Sequence, residues 1–376
     1  MTNETPSAEL PSSPLIGRGT CHVVYAFDVA NSIDLDAAEQ RIAAAQRQTI
    51  TEKRRAPSYF EYRPAPLRVT WQKPTHQVNG ITTRDAVELV MYDFGAVSLS
   101  FEIPLRGPLR DLVGLAAALR GNAELQGAAR KHVEQLMELL GDSAQRPRIA
   151  SFVEDYVVFQ VDDLDPPEPA PLMFQREAGL MAQILRAETR ELSEQERNSA
   201  TALQGSFGPG DLTIIDTDAA LVFDPDAADV LAVIEFANAQ ILEMRVLDQQ
   251  LDDALERSYH LLARPKLSRA ALAFYDPDLR LVSQLQLDAA ILFERVTNAL
   301  KLIGEQYLTR IYGHVSRRFH LAEWDASISR KLQTVDSIYS KMSDRAATRR
   351  MELLEWIIIV LIAVSIVVTL PGLGAK

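Results

Sequence analysis

Hydrophobic and polar positions change period several times along the chain. Residues 20–29 (TCHVVYAFDV) form a short β-rich run. Residues 35–50 then place Leu35, Ala38, Ile42 and Ala45 on one helical face, with Asp34 or Ser32 as the cap. Two extended runs, 59–62 and 67–71, flank Pro64 and Pro66, which fix a bend or a sheet edge. After a polar turn at Asn79-Gly80, residues 86–103 (AVELVMYDFGAVSLSFEI) alternate and are β-branched. They predict one strand bent at Gly95, broken afterwards by the prolines of 104–108. A helical period fills 109–140, interrupted near Gly121-Asn122, and 149–161 (IASFVEDYVVFQV) is a fourth strand. The order β-α-β-β-α-β predicts an α+β chain with a ferredoxin-like (split βαβ) domain over 20–161. Its antiparallel sheet would bury Val24, Phe27, Leu89, Met91, Val97, Leu99, Phe152 and Val157.

Residues 162–171 (DDLDPPEPAP) read as a linker, and 162–225 as linker plus short elements. Within that stretch, 172–185 and 193–203 are helical, the latter opening on a Ser-Glu-Gln-Glu capping box. Residues 212–223 form two strands turning at Asp216-Thr217-Asp218. Asp226 then caps a long helix to about 262, whose stripe is Val230, Ile234, Ala237, Ile241, Met244, Leu247, Leu251, Leu255 and Tyr259. A second helix covers 285–310. A third starts near 317 and carries Trp324, Ile328, Leu332, Val335, Tyr339 and Met342 at spacings of three and four. That near-heptad stripe pairs with another helix or another subunit, so 226–350 reads as a coiled-coil-like region.

The last stretch has no polar face. Residues 356–373 carry no charge, about 18 positions against the roughly 20 of a spanning helix. The expectation is a transmembrane tail anchor over 353–373, centred on Leu354, Glu355, Trp356, Ile357, Ile358, Ile359, Leu361 and Ile362. Trp356 sits where an interfacial aromatic belongs, and the basic collar Lys341, Arg345, Arg349 and Arg350 sets the orientation. By that rule the protein is a single-pass protein of the inner (cytoplasmic) membrane, with the lipid bilayer as a partner and its N-terminal bulk in the cytoplasm.

Composition adds a globular body to this picture. The chain of 376 residues is 47% hydrophobic and 24% charged. Cys21 is its single cysteine, which excludes an internal disulfide and suits a reducing compartment. Residues 1–19 lack an apolar signal core and read as a disordered leader. The net charge of −12 is uneven: residues 151–256 hold 23 acids against 5 arginines, whereas 290–350 hold 11 bases against 6 acids. The acidic middle argues against nucleic-acid binding there, and the basic segment suits anionic lipid.

Catalytic chemistry is sparse. The histidines His22, His76, His132, His260, His314 and His320 show no metal spacing, and no HExxH, GxSxG, CxxC or phosphate-loop pattern occurs. Cys21 and His22 are strand neighbours, which point to opposite faces. Asp216-Thr217-Asp218 and Asp276-Pro277-Asp278 have the composition of turns as well as of cation sites.

Three stretches resemble the "required for meiotic nuclear division" family. LEWIIIVLI at 354–362 is similar to its C-terminal signature, VMYDFGAVSLSF at 90–101 to its Phe-x-Gly-x-Val strand, and DVLAVIEFANAQILEMRVLDQQLD at 229–252 to its long helix. Leu99-Ser100 replaces the family's Phe-Trp, and Ala237 and Gln240 alone are kept from Ser-x-Ala-Leu-Ala-Gln-Ser, which marks a divergent, bacterial member. The resemblance implies a membrane protein, mitochondrial in eukaryotes and linked there to translation, with no catalytic set to carry over. The functional expectation is a membrane-tethered, non-catalytic scaffold or adaptor. It self-associates through its C-terminal helices, engages protein partners and needs no cofactor or metal. Two alternatives are a ribosome- or RNA-tethering module, and an enzyme whose inter-domain site gathers Glu154, Asp155 and Glu235.

Overall fold

The computed structural model describes residues 14–45, 50–52, 64–263, 287 and 306–369. The chain divides into two units, Met1–Val246 with Leu292–Trp324, and Leu247–Ile291 with Asp325–Lys376. The first opens with β1 (Leu15–Asp28), a short β2 (Ser32–Ile33), α1 (Leu35–Ala45), β3 (Ile50–Glu52) and β4 (Leu67–Gln72). A small hairpin, β5 (Gln77–Val78) and β6 (Ile81–Thr82), leads to β7 (Ala86–Met91) and β8 (Ala96–Pro108). Next come α2 (Asp111–Leu119), α3 (Ala123–Leu140), β9 (Ala144–Gln145), β10 (Glu154–Asp165), α4 (Ala170–Leu185) and α5 (Glu194–Ala200). The remainder is β11 (Leu203–Gly205), β12 (Leu212–Ile215), β13 (Ala219–Phe223), α6 (Ala228–Ala263), α7 (Gln306–Arg318) and α8 (Leu321–Thr369).

Nine strands form one sheet in the order β11-β12-β13-β10-β1-β8-β7-β4-β3. β10 and β13 run parallel, and the other neighbours are antiparallel. β1 lies at the centre, where Cys21 faces Ile103 and Phe159, and His22 faces Glu102 and Val158. The mixed α+β architecture is as expected, and the sheet continues beyond Val161 through β11, β12 and β13.

Alternation along these strands separates two environments. One face carries Cys21, Val23, Tyr25 and Phe27 with Leu99, Phe101 and Ile103, all buried beneath α1, α2, α3 and α4. Phe101 meets Tyr25 edge-on at 6.3 Å, and its full burial contributes roughly 1.5–3 kcal/mol. The other face is covered by α6, with Ala26 against Leu242 and Val246, and by α7. Tyr307 of α7 meets Thr213 at 3.2 Å, and Tyr312 donates to Gln240 of α6 at 2.6 Å. Asp216, in the β12–β13 turn, is nearly inaccessible and pairs with Arg186 at 2.8 Å and Arg318 at 3.0 Å. This Asp-two-Arg node ties the end of α4 to the end of α7.

Local signals account for several boundaries. Asp34 accepts from the Ala37 amide at 3.0 Å at the start of α1, Asn122 caps α3 and Ser193 caps α5. Other boundaries depart from expectation. Residues 86–103 form a hairpin rather than one bent strand, because Gly95 turns the chain at φ +101 and a Cβ there would lie 1.7 Å from the Ala30 carbonyl oxygen. β8 runs through Pro104 to Pro108. Beyond Phe101 its β7 side carries no ladder, which is where a proline's missing N–H is tolerated. Phe152 precedes β10 and is exposed. The expected run 59–62 and the expected helix 285–310, apart from 287 and 306–310, lie outside the described residues.

Among the described residues no helix is long and apolar enough to cross a membrane. This overturns the tail anchor over 353–373, the single-pass inner-membrane location and the orientation read from Lys341, Arg345, Arg349 and Arg350. The uncharged part of the described helix, from Trp356 to Thr369, rises about 21 Å against a hydrocarbon core of ~30 Å, and Glu355 directly precedes it. The side chains of Leu354, Arg345, Arg349 and Arg350 lie outside the described residues; Lys341 is exposed.

In the second unit, Lys331 of α8 reaches Asp248 and Asp252 of α6 at 2.8 and 2.6 Å. Ile328 and Val335 of α8 are buried, as are Leu251 and Ala254 of α6, so these segments lie side by side. Leu332 is half-buried, as is Trp324 in the first unit, while the side chains of Tyr339 and Met342 lie outside the described residues.

Candidate functional site

The face beneath α6 is less apolar than its opposite, and the alternation shows why. His22 and Val24 on β1, Ser100 and Glu102 on β8, Tyr156, Val158 and Gln160 on β10, Glu88 on β7 and Arg68 on β4 share it. Register aligns them in rows: Glu88 faces Ser100, Ser100 faces Val24, and Val24 faces Tyr156. The next row runs Glu102, His22, Val158. Residues Pro225 to Asn238, the start of α6 and its approach, roof a cavity of about 560 Å³ over these rows.

Arg68 anchors the roof to the floor. Its guanidinium donates to Glu235 of α6 at 2.8 Å and to Glu88 of β7 at 3.1 Å, and all three side chains are largely shielded. Burial works against the Arg68 charge, but Glu235 and Glu88 outweigh it and hold its pKa above the ordinary arginine value. The His22 ring lies 3.2 Å from the Gln160 carboxamide oxygen. The Gln160 amide donates to Asp162 at 3.0 Å and to the Asp224 carbonyl at 3.2 Å. Glu102, nearer the mouth, pairs with the more exposed Arg84 at 2.9 Å. The Tyr156 hydroxyl donates to the Asp216 carbonyl at 2.8 Å, and burial pushes its pKa well up.

The acids expected to gather in one site are distributed. Glu235 lines this cavity, Asp155 lines a smaller hollow of about 240 Å³ with Arg120 and Asp218, and Glu154 pairs with Arg245 at 2.6 Å. Burial, then the Asp218 charge, raises the Asp155 pKa. Cys21 sits on the opposite, fully buried face from His22, where burial pushes its thiol pKa far up. Asp216 serves a buried turn, and Asp276 and Asp278 lie outside the described residues. Among the described residues, no cluster of three or more His, Cys, Asp or Glu could hold a metal. Arg68, Glu88 and Glu102 escape sequence reading because a polar face of an antiparallel sheet ordinarily meets solvent. Glu235 carries a signal, a charge inside the apolar run Val233-Ile234-Glu235-Phe236.

A separate buried group lies on the apolar side. His132 of α3 packs near Phe101, at 6.4 Å between centroids, and both its ring nitrogens are shielded from solvent. Burial, aided by the Lys73 charge, lowers its pKa from 6.5 to about 4.

Two outcomes follow from these pairings. Arg68→Met strands Glu235 and Glu88 and lowers stability by about 3–5 kcal/mol in urea unfolding. Adding Glu235→Leu to it restores more than half of that loss; no restoration would show that the pair is unimportant. For His132, the unfolded chain binds a proton between pH 6.5 and about 4 that the folded chain refuses. Stability therefore falls as pH drops through that window, and His132→Gln flattens the fall; an unchanged slope would assign it elsewhere.

Comparison with known proteins places the chain in a family. The chain is 24% identical over 221 residues to an uncharacterized protein, MJ0711, of Methanocaldococcus jannaschii. That match takes in 58% of this chain and 66% of the relative, just under two thirds of the relative's length. No solved structure matches. These findings correct the resemblance to the "required for meiotic nuclear division" family. The stretches behind it, an apolar helix, an alternating strand and a striped helix, are patterns that many unrelated elements share. The family model described as "Uncharacterized protein MJ0711, N-terminal domain" matches residues 18–229, more than half of the chain, and the protein belongs to that family.

Proposed function

We propose that the chain is a non-catalytic scaffold or adaptor that self-associates through α8. Its body is built on a ferredoxin-like core, a reading supported by the strand order β10-β1-β8-β7 and by the placement of α1 to α3 on one face. The observation that carries self-association is the segment Trp356–Ile366. Nine large apolar side chains there, from Trp356 at 66% to Ile366 at 54%, are exposed around the helix. At about 100 Å² each they amount to roughly the ~800 Å² that a partner contributes to a standard interface. Because the apolar surface encircles the helix, a bundle of several copies satisfies it better than a pair.

The non-catalytic part of the reading rests on how the cavity's side chains are engaged. Arg68 is held by two carboxylates, His22 lies against Gln160, and the Tyr156 hydroxyl is committed to a backbone carbonyl. General acid–base work needs a group able to reach a substrate proton, and these are already directed at the protein. RNA tethering draws less support, since the cavity and residues 151–256 are dominated by acids.

Light scattering coupled to size exclusion tests the reading on the full chain. The expected mass is a multiple of the monomer's. Ile358→Asp with Ile362→Asp shifts it to the monomer without changing the melting temperature of the α+β body. A monomeric parent, or an oligomer indifferent to those substitutions, would refute it.

A further inference from the structure

The joint between α7 and α8 is broken where its own sequence would not break it. α7 ends at Arg318 and α8 begins at Leu321, with Phe319 and His320 between them. Residues 317–324 read RRFHLAEW, without glycine, proline or a capping Ser, Thr, Asp or Asn, so local preference favours one unbroken helix. Hydrogen bonding nearly makes it one. The Phe319 amide still donates to the Val315 carbonyl at 2.9 Å, and the Trp324 amide already donates to the His320 carbonyl at 3.0 Å. The break is one backbone angle, the left-handed φ of +54 at His320, which costs an L-residue free energy that glycine is spared.

Tertiary contacts oppose that cost. Arg318 reaches the buried Asp216 carboxylate at 3.0 Å and donates to the Ser199 carbonyl of α5 at 2.6 Å. Phe319 packs edge-on against Tyr156 of β10 at 5.4 Å, and the Tyr156 hydroxyl donates to the Asp216 carbonyl at 2.8 Å. The same carboxylate draws in the end of α4. Arg186 pairs with it at 2.8 Å, and Ala187, the next residue, is left-handed at φ +49. Among the described residues four non-glycines have a positive φ, and two of them stand just beyond the arginines that hold Asp216. A buried carboxylate that needs both guanidiniums thus bends two helix ends away from their local preference.

We propose that the α7–α8 joint is a latched elbow: Asp216 holds it bent through Arg318, and loss of that ion pair lets α7 and α8 join into one continuous helix. The elbow is a two-state element, and whatever weakens the pair re-aims the root of α8. It is independent of self-association, since every group in it belongs to the first unit.

Spin-label distances on the full chain test this, with Gln306→Cys and Ala322→Cys as exposed label sites and the buried Cys21 left unlabelled. Dilution into unlabelled chain suppresses distances between copies. The expected parent distance is shorter than the roughly 24 Å that an unbroken helix sets between those positions. Arg318→Gln, which leaves Asp216 its pair with Arg186, shifts the distribution toward that value. Adding His320→Gly returns it, because glycine removes the left-handed cost and weakens the continuous helix. A parent already at the long distance, no lengthening with Arg318→Gln, or no return with His320→Gly would each overturn the proposal. Should Arg318→Gln not fold, thermal melts decide: His320→Gly melts above His320→Ala, the reverse of their order inside a helix. His320→Ala melting at or above His320→Gly would refute the strain on which the elbow depends.

Discussion

The ion pair between Arg68 and Glu235 decides how the second face of the sheet is closed. Burying one of these charges without the other would cost several kcal/mol, so strand β4 and helix α6 are obliged to meet. Their meeting holds the start of α6 over rows of His22, Glu88, Ser100 and Glu102 instead of leaving those side chains to solvent. The closure is incomplete, and the gap is the polar cavity. Further along α6 the contact becomes apolar, with Leu242 and Val246 on Ala26. The same helix is thus clamped by charge near its start and by burial near its middle.

The opposite face shows the contrast. There the strands present Phe27, Leu99, Phe101 and Ile103, and four helices cover them without any ion pair being required. Packing of that kind specifies shape but places few polar groups. The two faces divide the work. One supplies the free energy of the fold, and the other, less efficiently packed, supplies a cavity with directed polar groups. His132 is an exception on the apolar side, a buried titratable group whose contribution is to acid sensitivity.

Much of the first face was legible in the residues. Asp34 and Ser193 announce helix starts through their own side chains, and the β-branched alternation of β1, β7 and β8 is plain. The β7–β8 turn was not, because Tyr92 and Phe94 look like strand residues; Tyr92 instead packs on Phe236 of α6, 5.9 Å away. The cavity was hidden for a related reason. Arg68 and Glu235 are 167 residues apart, and no local pattern joins an alternating strand to a charge within a helical stripe. The membrane reading failed at the opposite extreme. A run of apolar letters spoke strongly, but the uncharged stretch of the described helix, Trp356 to Thr369 after Glu355, is shorter than a bilayer's core.

The central claim is that α6 and the sheet form one pre-organised wall around the cavity. Native-state hydrogen–deuterium exchange measures this directly, because amides that open together share one opening free energy. The account predicts that the amides of α6 up to Val246 exchange as slowly as those of β1 and β8, in a single cooperative unit. Fast, independent exchange of α6 while β1 and β8 stay protected would contradict it.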